Sequence, residues 1–124
     1  MKNEKDVYQA FKKWLLENHP GAFIGRIENS VEPGWCDCLV QVPKYPRAIF
    51  IEFKYARSWN EVLRPKFRPG QISFAKRWES AKGEWRCVVG FSSELSFICE
   101  PKPRYNDSEI YRVAEAYFFA GCES

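Results

Sequence analysis

Ala48-Ile49-Phe50-Ile51-Glu52-Phe53-Lys54 is the stretch that decides the fold. Its Ile and Phe content reads as a β-strand. Side chains alternate across a sheet, so Glu52 and Lys54 share one face while Ile49, Ile51 and Phe53 share the other. On an exposed face, Glu-x-Lys is two solvated charges in a weak surface pair. Here apolar residues flank Glu52 on both sides, the mark of a central strand covered on both faces.

Upstream, a strand over Cys36–Val42 is launched by a Pro33-Gly34 turn and closed by Pro43, and it carries Asp37. Before it, Ala22–Glu28 reads as another strand, ended by Asn29-Ser30. The chain opens with a helix over Glu4–Asn18. Val7, Ala10, Phe11, Trp14 and Leu15 lie on one helical face, Asn3 can cap, and His19-Pro20-Gly21 stops it.

Downstream, the decisive strand follows a turn at Pro46 and leads into Tyr55–Gly70, which reads as irregular, basic and long for a connection. A helix over Gln71–Ala81 follows, with Gln71, Phe74, Ala75 and Trp78 on one face. Strands are expected at Arg86–Phe91 and Ser96–Cys99. A last helix starts at Asn106, where Glu109 completes a capping box, with an apolar stripe of Ile110, Val113, Ala114, Tyr117 and Phe118. The order α-β-β-β-α-β-β-α predicts an α/β domain with a mixed central sheet flanked by helices.

A length of 124 residues suits one domain, with a core over roughly 4–92 and a C-terminal strand and helix over 96–121. A composition 45% hydrophobic and 17% aromatic excludes a disordered chain. The net charge of +3 permits an acidic partner without demanding one. Its distribution is more telling: Arg57, Arg64, Lys66, Arg68, Lys76 and Arg77 face a single Glu61. The charged N-terminus does not read as a secretory signal and no apolar run reaches membrane-span length, so a cytoplasmic protein without a membrane partner is expected. The cysteines are Cys36, Cys38, Cys87, Cys99 and Cys122, with no CxxC pair, and read as free thiols. Cys36 and Cys38 read as two thiols on one strand face.

The polar residues in this frame suggest one chemistry. A buried Glu52 costs several kcal/mol unless compensated, and a divalent cation compensates it. If the two strands pair, Asp37 comes within a metal's reach of Glu52. These two carboxylates, the Phe53 backbone carbonyl and water suit the oxygen shell of Mg²⁺. Such a metal serves phosphodiester hydrolysis, with Lys54 steadying the attacking group or the developing charge. Glu4 extends the apolar stripe of the first helix, where it either faces the core and assists the metal through water or simply suits the helix dipole in the first turn. Gln71 heads the second helix and either orients Lys54, a water or a phosphate, or simply satisfies the helix start near its N-cap. Arg64, Lys66 and Arg68 suit backbone phosphates, and Lys76 and Arg77 continue that basic run.

Taken in order, these motifs resemble the PD-(D/E)XK nucleases, and within them the VRR-NUC group. That group has an N-terminal helix with a Glu, a G-x-P-D segment, a strand with E-x-K, and a helix opening with Gln. Here these are Glu4 in Glu4-Lys5-Asp6-Val7, Asp37 in Gly34-Trp35-Cys36-Asp37, Glu52-Phe53-Lys54, and Gln71 in Arg68-Pro69-Gly70-Gln71. The resemblance covers roughly residues 4–92. It departs in one place: Cys36 stands where the family has Pro, a residue that is not a metal ligand. The resemblance implies a restriction-endonuclease-like fold and Mg²⁺ or Mn²⁺ dependence. It also implies a duplex or branched DNA substrate, as for Holliday-junction resolvases, and often a homodimer or higher homo-oligomer. Members of this size are often viral or bacterial, which makes the host cytoplasm the site for a viral one. Two other readings stand beside it: a non-catalytic DNA-binding module with the same fold, and a protein-interaction module that uses the aromatics.

Overall fold

The computed structural model describes residues 1–28, 34–114 and 117–120. The elements run α1 (Glu4–Asn18), β1 (Phe23–Arg26), β2 (Cys38–Val42), β3 (Tyr45–Ala56), α2 (Trp59–Leu63), α3 (Pro69–Ser80), β4 (Glu84–Phe91), β5 (Glu94–Ile98), β6 (Tyr111–Arg112) and α4 (Tyr117–Ala120). One six-stranded sheet follows chain order from β1 to β6. Every neighbouring pair is antiparallel except β3 and β4, which run parallel from Ile49↔Glu84 to Ala56↔Phe91. The mixed sheet flanked by helices is therefore as expected. A parallel pair needs a long crossover, and residues 57–83 supply it with α2 and α3.

The alternation in β3 splits the core into two layers. Ile49, Ile51 and Phe53 join Val7, Phe11 and Leu15 of α1 with Val88 and Phe97. On the other face, Phe50 packs with Phe74 and Ala75 of α3 and with Trp85, Cys87 and Val89 of β4. Glu52 and Lys54 share the α3 face. At the start of α1, Asn3 caps through its side chain, accepting from the Asp6 amide at 2.9 Å.

Several local expectations are corrected. Pro46 lies inside β3; the ladder with β4 begins only at Ile49, so its missing N–H costs no bond on that side. The loop after β3 contains α2, capped by Ser58, whose hydroxyl accepts from the Glu61 amide at 3.2 Å, with Val62 buried beneath. The Asn106–Glu109 capping pair exists, the Asn106 amide donating to Glu109 at 3.0 Å, but it closes only a single 3-10 turn over Asp107–Glu109. Tyr111 and Arg112 then pair with β5, and Tyr111 stacks on Phe97 with ring centroids 5.3 Å apart. Strand pairing and aromatic burial outcompete the helix there, and α4 is four residues long. Phe118 of α4 packs against Phe11 and Phe97 at 5.2 and 5.0 Å.

Cys36, Cys38 and Cys87 are free and buried, but Cys99 is disulfide-bonded, which corrects the expectation of five free thiols. A count cannot show which thiols folding brings together. Cys36 and Cys38 belong to opposite core layers and not to one strand face, because β2 begins only at Cys38. The expected Asn29-Ser30 strand end, Pro33 of the turn, the stretch 115–116 of the expected last helix, and Cys122 lie outside the described residues. Among the described residues no helix is long and apolar enough to cross a membrane.

Candidate active site

Asp37 is fixed by its backbone between two strands. Its amide donates to the Ile51 carbonyl at 3.1 Å, and its carbonyl accepts from Ile27 at 2.9 Å. The last ladder pair, Cys38↔Ile51, puts Asp37 opposite Glu52. Its carboxylate then accepts from the Phe53 amide at 2.7 Å, in the place a strand carbonyl would take. A strand residue's N–H and C=O leave on the same edge, so the Phe53 carbonyl opens toward the side that holds Asp37.

Glu52 is 3% exposed. Its Oε1 accepts from Gln71 Nε2 at 2.6 Å, while Oε2 is buried with no hydrogen-bond partner among the described residues. Burial first, then the neighbouring Asp37, pushes its pKa up to about 9; Lys54 opposes the rise and Glu4 adds to it. As two carboxylates, Asp37 and Glu52 repel, which favours the neutral form of Glu52. An unsatisfied buried carboxylate oxygen costs on the order of 1–3 kcal/mol.

Gln71, 2% exposed in the first turn of α3, joins Glu52 and Lys54 of β3. Its Oε1 accepts from Lys54 Nζ at 3.1 Å and from the Arg68 amide at 3.0 Å. Both donors meet the oxygen, so the amide has one sensible orientation, with its NH₂ on Glu52. Lys54 Nζ also lies 5.5 Å from the centre of the Phe67 ring. Gln71 thus both satisfies the helix start and holds Lys54 and Glu52 together, which periodicity alone could not distinguish.

The other expected residues divide. Glu4 is exposed at the start of α1 and not core-facing, because it precedes the first buried turn at Val7. It lines a cleft of about 240 Å³ together with Lys54, Tyr55, Arg64 and Lys66. Arg68 is exposed at the N-cap of α3 and does not line this cleft. Lys76 and Arg77 lie further along α3, about 7.5 and 9 Å from Gln71 along the axis. Arg77 borders a different, apolar groove of about 360 Å³ with Trp35, Phe50, Phe74 and Trp78. A larger cavity, about 370 Å³ and lined by Glu79, Glu84, Arg86 and Glu100, lies at the opposite end of β4. Its size does not make it the reactive site, since Arg86 there is already held by Glu84 at 3.0 Å and by backbone carbonyls.

Arg26 pairs with Cys38 at the end of β1, its guanidinium 4.7 Å above the centre of the Tyr8 ring on the α1 side of the sheet. Only the β1–β2 pairing reveals this, and no sequence signal carries it. Cys36, just before Asp37, is 2% exposed. Burial and then Glu52 raise its thiol far above the usual range, so it adds no charge to the site. The same causes act on Cys87, the β4 partner of Glu52.

Among the described residues, no group of three or more His, Cys, Asp and Glu side chains gathers around one point. A cation at Asp37 and Glu52 therefore needs a backbone carbonyl and water for the rest of its shell, which Mg²⁺ accepts readily and Zn²⁺ in a structural site does not. The orphaned Glu52 oxygen is what fits this donor set to a hard divalent cation.

No family model and no curated protein matches this chain. A solved structure does: Hjc of Archaeoglobus fulgidus, a Holliday junction resolvase from an archaeal hyperthermophile. The match covers 89% of this chain and 96% of that one, with a TM-score of 0.63 and 13% sequence identity. The likeness shows the fold, restriction-endonuclease-like with a mixed central sheet.

Proposed function

We propose that this chain is a metal-dependent endonuclease that hydrolyses DNA phosphodiester bonds, with branched DNA its preferred class of substrate. The observation that carries the reading is the buried Glu52 carboxylate, braced through Gln71 to Lys54 and set opposite Asp37, with one oxygen that has no partner among the described residues. The choice of branched DNA draws on the fold shared with the Holliday junction resolvase.

Asp37, Glu52 and the Phe53 carbonyl would hold Mg²⁺ or Mn²⁺. When bound, such a cation polarises a phosphoryl oxygen and lowers the pKa of water. The chain's own residues do the rest. Lys54, half-buried, carries a positive charge to where negative charge develops on the phosphate. Gln71 fixes Lys54 relative to Glu52, so the charge is already oriented before the substrate arrives. Glu4, on the cleft rim, accepts hydrogen bonds from water entering the site. Arg64, Lys66 and Arg68 take up flanking backbone phosphates. A pair of chains would present two such sites to the two strands of a junction.

The test is cleavage of labelled four-way junction, nicked and plain duplex DNA with Mg²⁺ or Mn²⁺, comparing the parent protein with Glu52→Ala and Lys54→Ala. The reading expects metal-dependent cutting, strongest on the junction and lost in both variants. Binding without cutting in all three proteins would leave a DNA-binding module; neither binding nor cutting would leave an interaction module.

A further inference from the structure

We infer that Gly34 is a positioning residue, one that sets the distance between the Asp37 segment and the Gln71 end of α3 by direct contact of two backbones. The inference rests on the nuclease reading for its functional consequence. Gly34 has φ +97°, and a Cβ there would stand 2.3 Å from the Gly70 carbonyl oxygen and 2.4 Å from its carbon. Those atoms are backbone in the first turn of a helix, so no flexible side chain can swing aside. Gly70 immediately precedes Gln71, and Gly34 lies three residues before Asp37. Any side chain at Gly34 must therefore push apart the two segments that meet at the site.

The bonds at stake tolerate little of this. Gln71 reaches Glu52 at 2.6 Å and Lys54 at 3.1 Å. A displacement of roughly 1 Å at a reacting centre costs about a hundredfold in rate. Gly21 provides the comparison: it also has positive φ, +88°, but a Cβ there meets only Pro43 Cγ at 3.4 Å, an ordinary contact. Its backbone strain is similar and its neighbourhood is remote from the site.

The experiment compares the parent protein, Gly34→Ala, Gly21→Ala, Gln71→Ala and the Gly34→Ala/Gln71→Ala double variant. Two readouts are used: steady-state cleavage of a four-way junction, and the side-chain amide resonances of the glutamines in metal-free protein. The chain has Gln9, Gln41 and Gln71, so the Gln71 signal is the one that disappears in Gln71→Ala. Gly34→Ala is expected to shift that signal and lower kcat by about tenfold to a hundredfold, no more than Gln71→Ala does, with KM within about twofold, while Gly21→Ala does neither. Because Gly34 acts through Gln71, the double variant should fall no more than about threefold below Gln71→Ala alone. A folded Gly34→Ala with an unmoved Gln71 signal, or rate losses that multiply in full, would overturn the inference. If Gly34→Ala fails to fold, Gly34→Asn takes its place: Asn tolerates positive φ but brings the same Cβ. Full activity in Gly34→Asn would show a backbone-conformation role only, and failure of both to fold would show a purely structural one; either result overturns it. If the parent protein cuts no DNA, the nuclease reading fails while the amide signal still decides the role of Gly34.

Discussion

Gln71 and Glu52 are joined by a 2.6 Å hydrogen bond that ties α3 to the middle of β3, and the other end of the same amide holds Lys54. One neutral side chain thus sets the spacing of an acid and a base that would otherwise collapse onto each other or drift apart. Removing it leaves both charged groups in place but unguided. Gln71→Ala should lower kcat on cleavable DNA by about tenfold to a hundredfold, the scale of one hydrogen bond to a charged group, with KM little changed. Steady-state kinetics at saturating Mg²⁺ measure it.

The raised pKa of Glu52 makes the metal-free protein sensitive to alkali. Its carboxyl titrates from 4.5 when unfolded and at about 9 when folded. Between those values the folded state holds a proton that the unfolded state has released, so stability falls as pH rises. Below 4.5 both states are protonated and the contribution is flat. Thermal melts without metal should show Tm declining from pH 5 to pH 9, and Glu52→Gln should remove most of that decline. Added Mg²⁺ should stabilise the parent protein more at pH 8 than at pH 5, and Glu52→Gln at neither.

Arg64 and Lys66 share the cleft with Lys54, whereas Arg77 borders the apolar groove beside Phe50. Removing one phosphate-binding side chain from a duplex complex should reduce the slope of log K against log salt by about 0.9. Arg64→Gln and Lys66→Gln should each do so and raise KM with kcat retained. Lys76→Gln and Arg77→Gln should change the slope less. Binding titrations across salt concentrations separate the two pairs.

Phe11 is fully buried and touches Phe53 and Phe118 at 5.6 and 5.2 Å between ring centroids. Phe11→Ala should cost about 3–5 kcal/mol, a large share of what a domain this small has to lose. Urea denaturation measures it. Because Phe53 carries the backbone bound by Asp37, this variant should also weaken metal binding even at temperatures where it stays folded.

How much of this the sequence showed depended on whether the signal was local. The strand with Glu52 and Lys54 on one face, the limits of α1, and Gln71 at the head of a buried helix stripe were all legible, because period and position along one element decide them. Asp37 was legible as one strand away, although its bond to the Phe53 amide was not. The last segment misled: the capping pair Asn106 and Glu109 is real, but pairing with β5 and stacking on Phe97 pull Tyr111 into the sheet. The place of Arg26 over Tyr8, the exposure of Glu4 and the contact of Gly34 with Gly70 depend on which segments meet in space. No window of sequence contains those facts.

The most direct test of the central claim, that Asp37 and Glu52 form a divalent-metal site, is the anomalous scattering of Mn²⁺ soaked into crystals of the parent protein. The account predicts one strong peak bounded by the Asp37 and Glu52 carboxylates and the Phe53 carbonyl, absent in Glu52→Gln. A crystal saturated with Mn²⁺ that shows no peak there, or the same peak with Glu52→Gln, would contradict it.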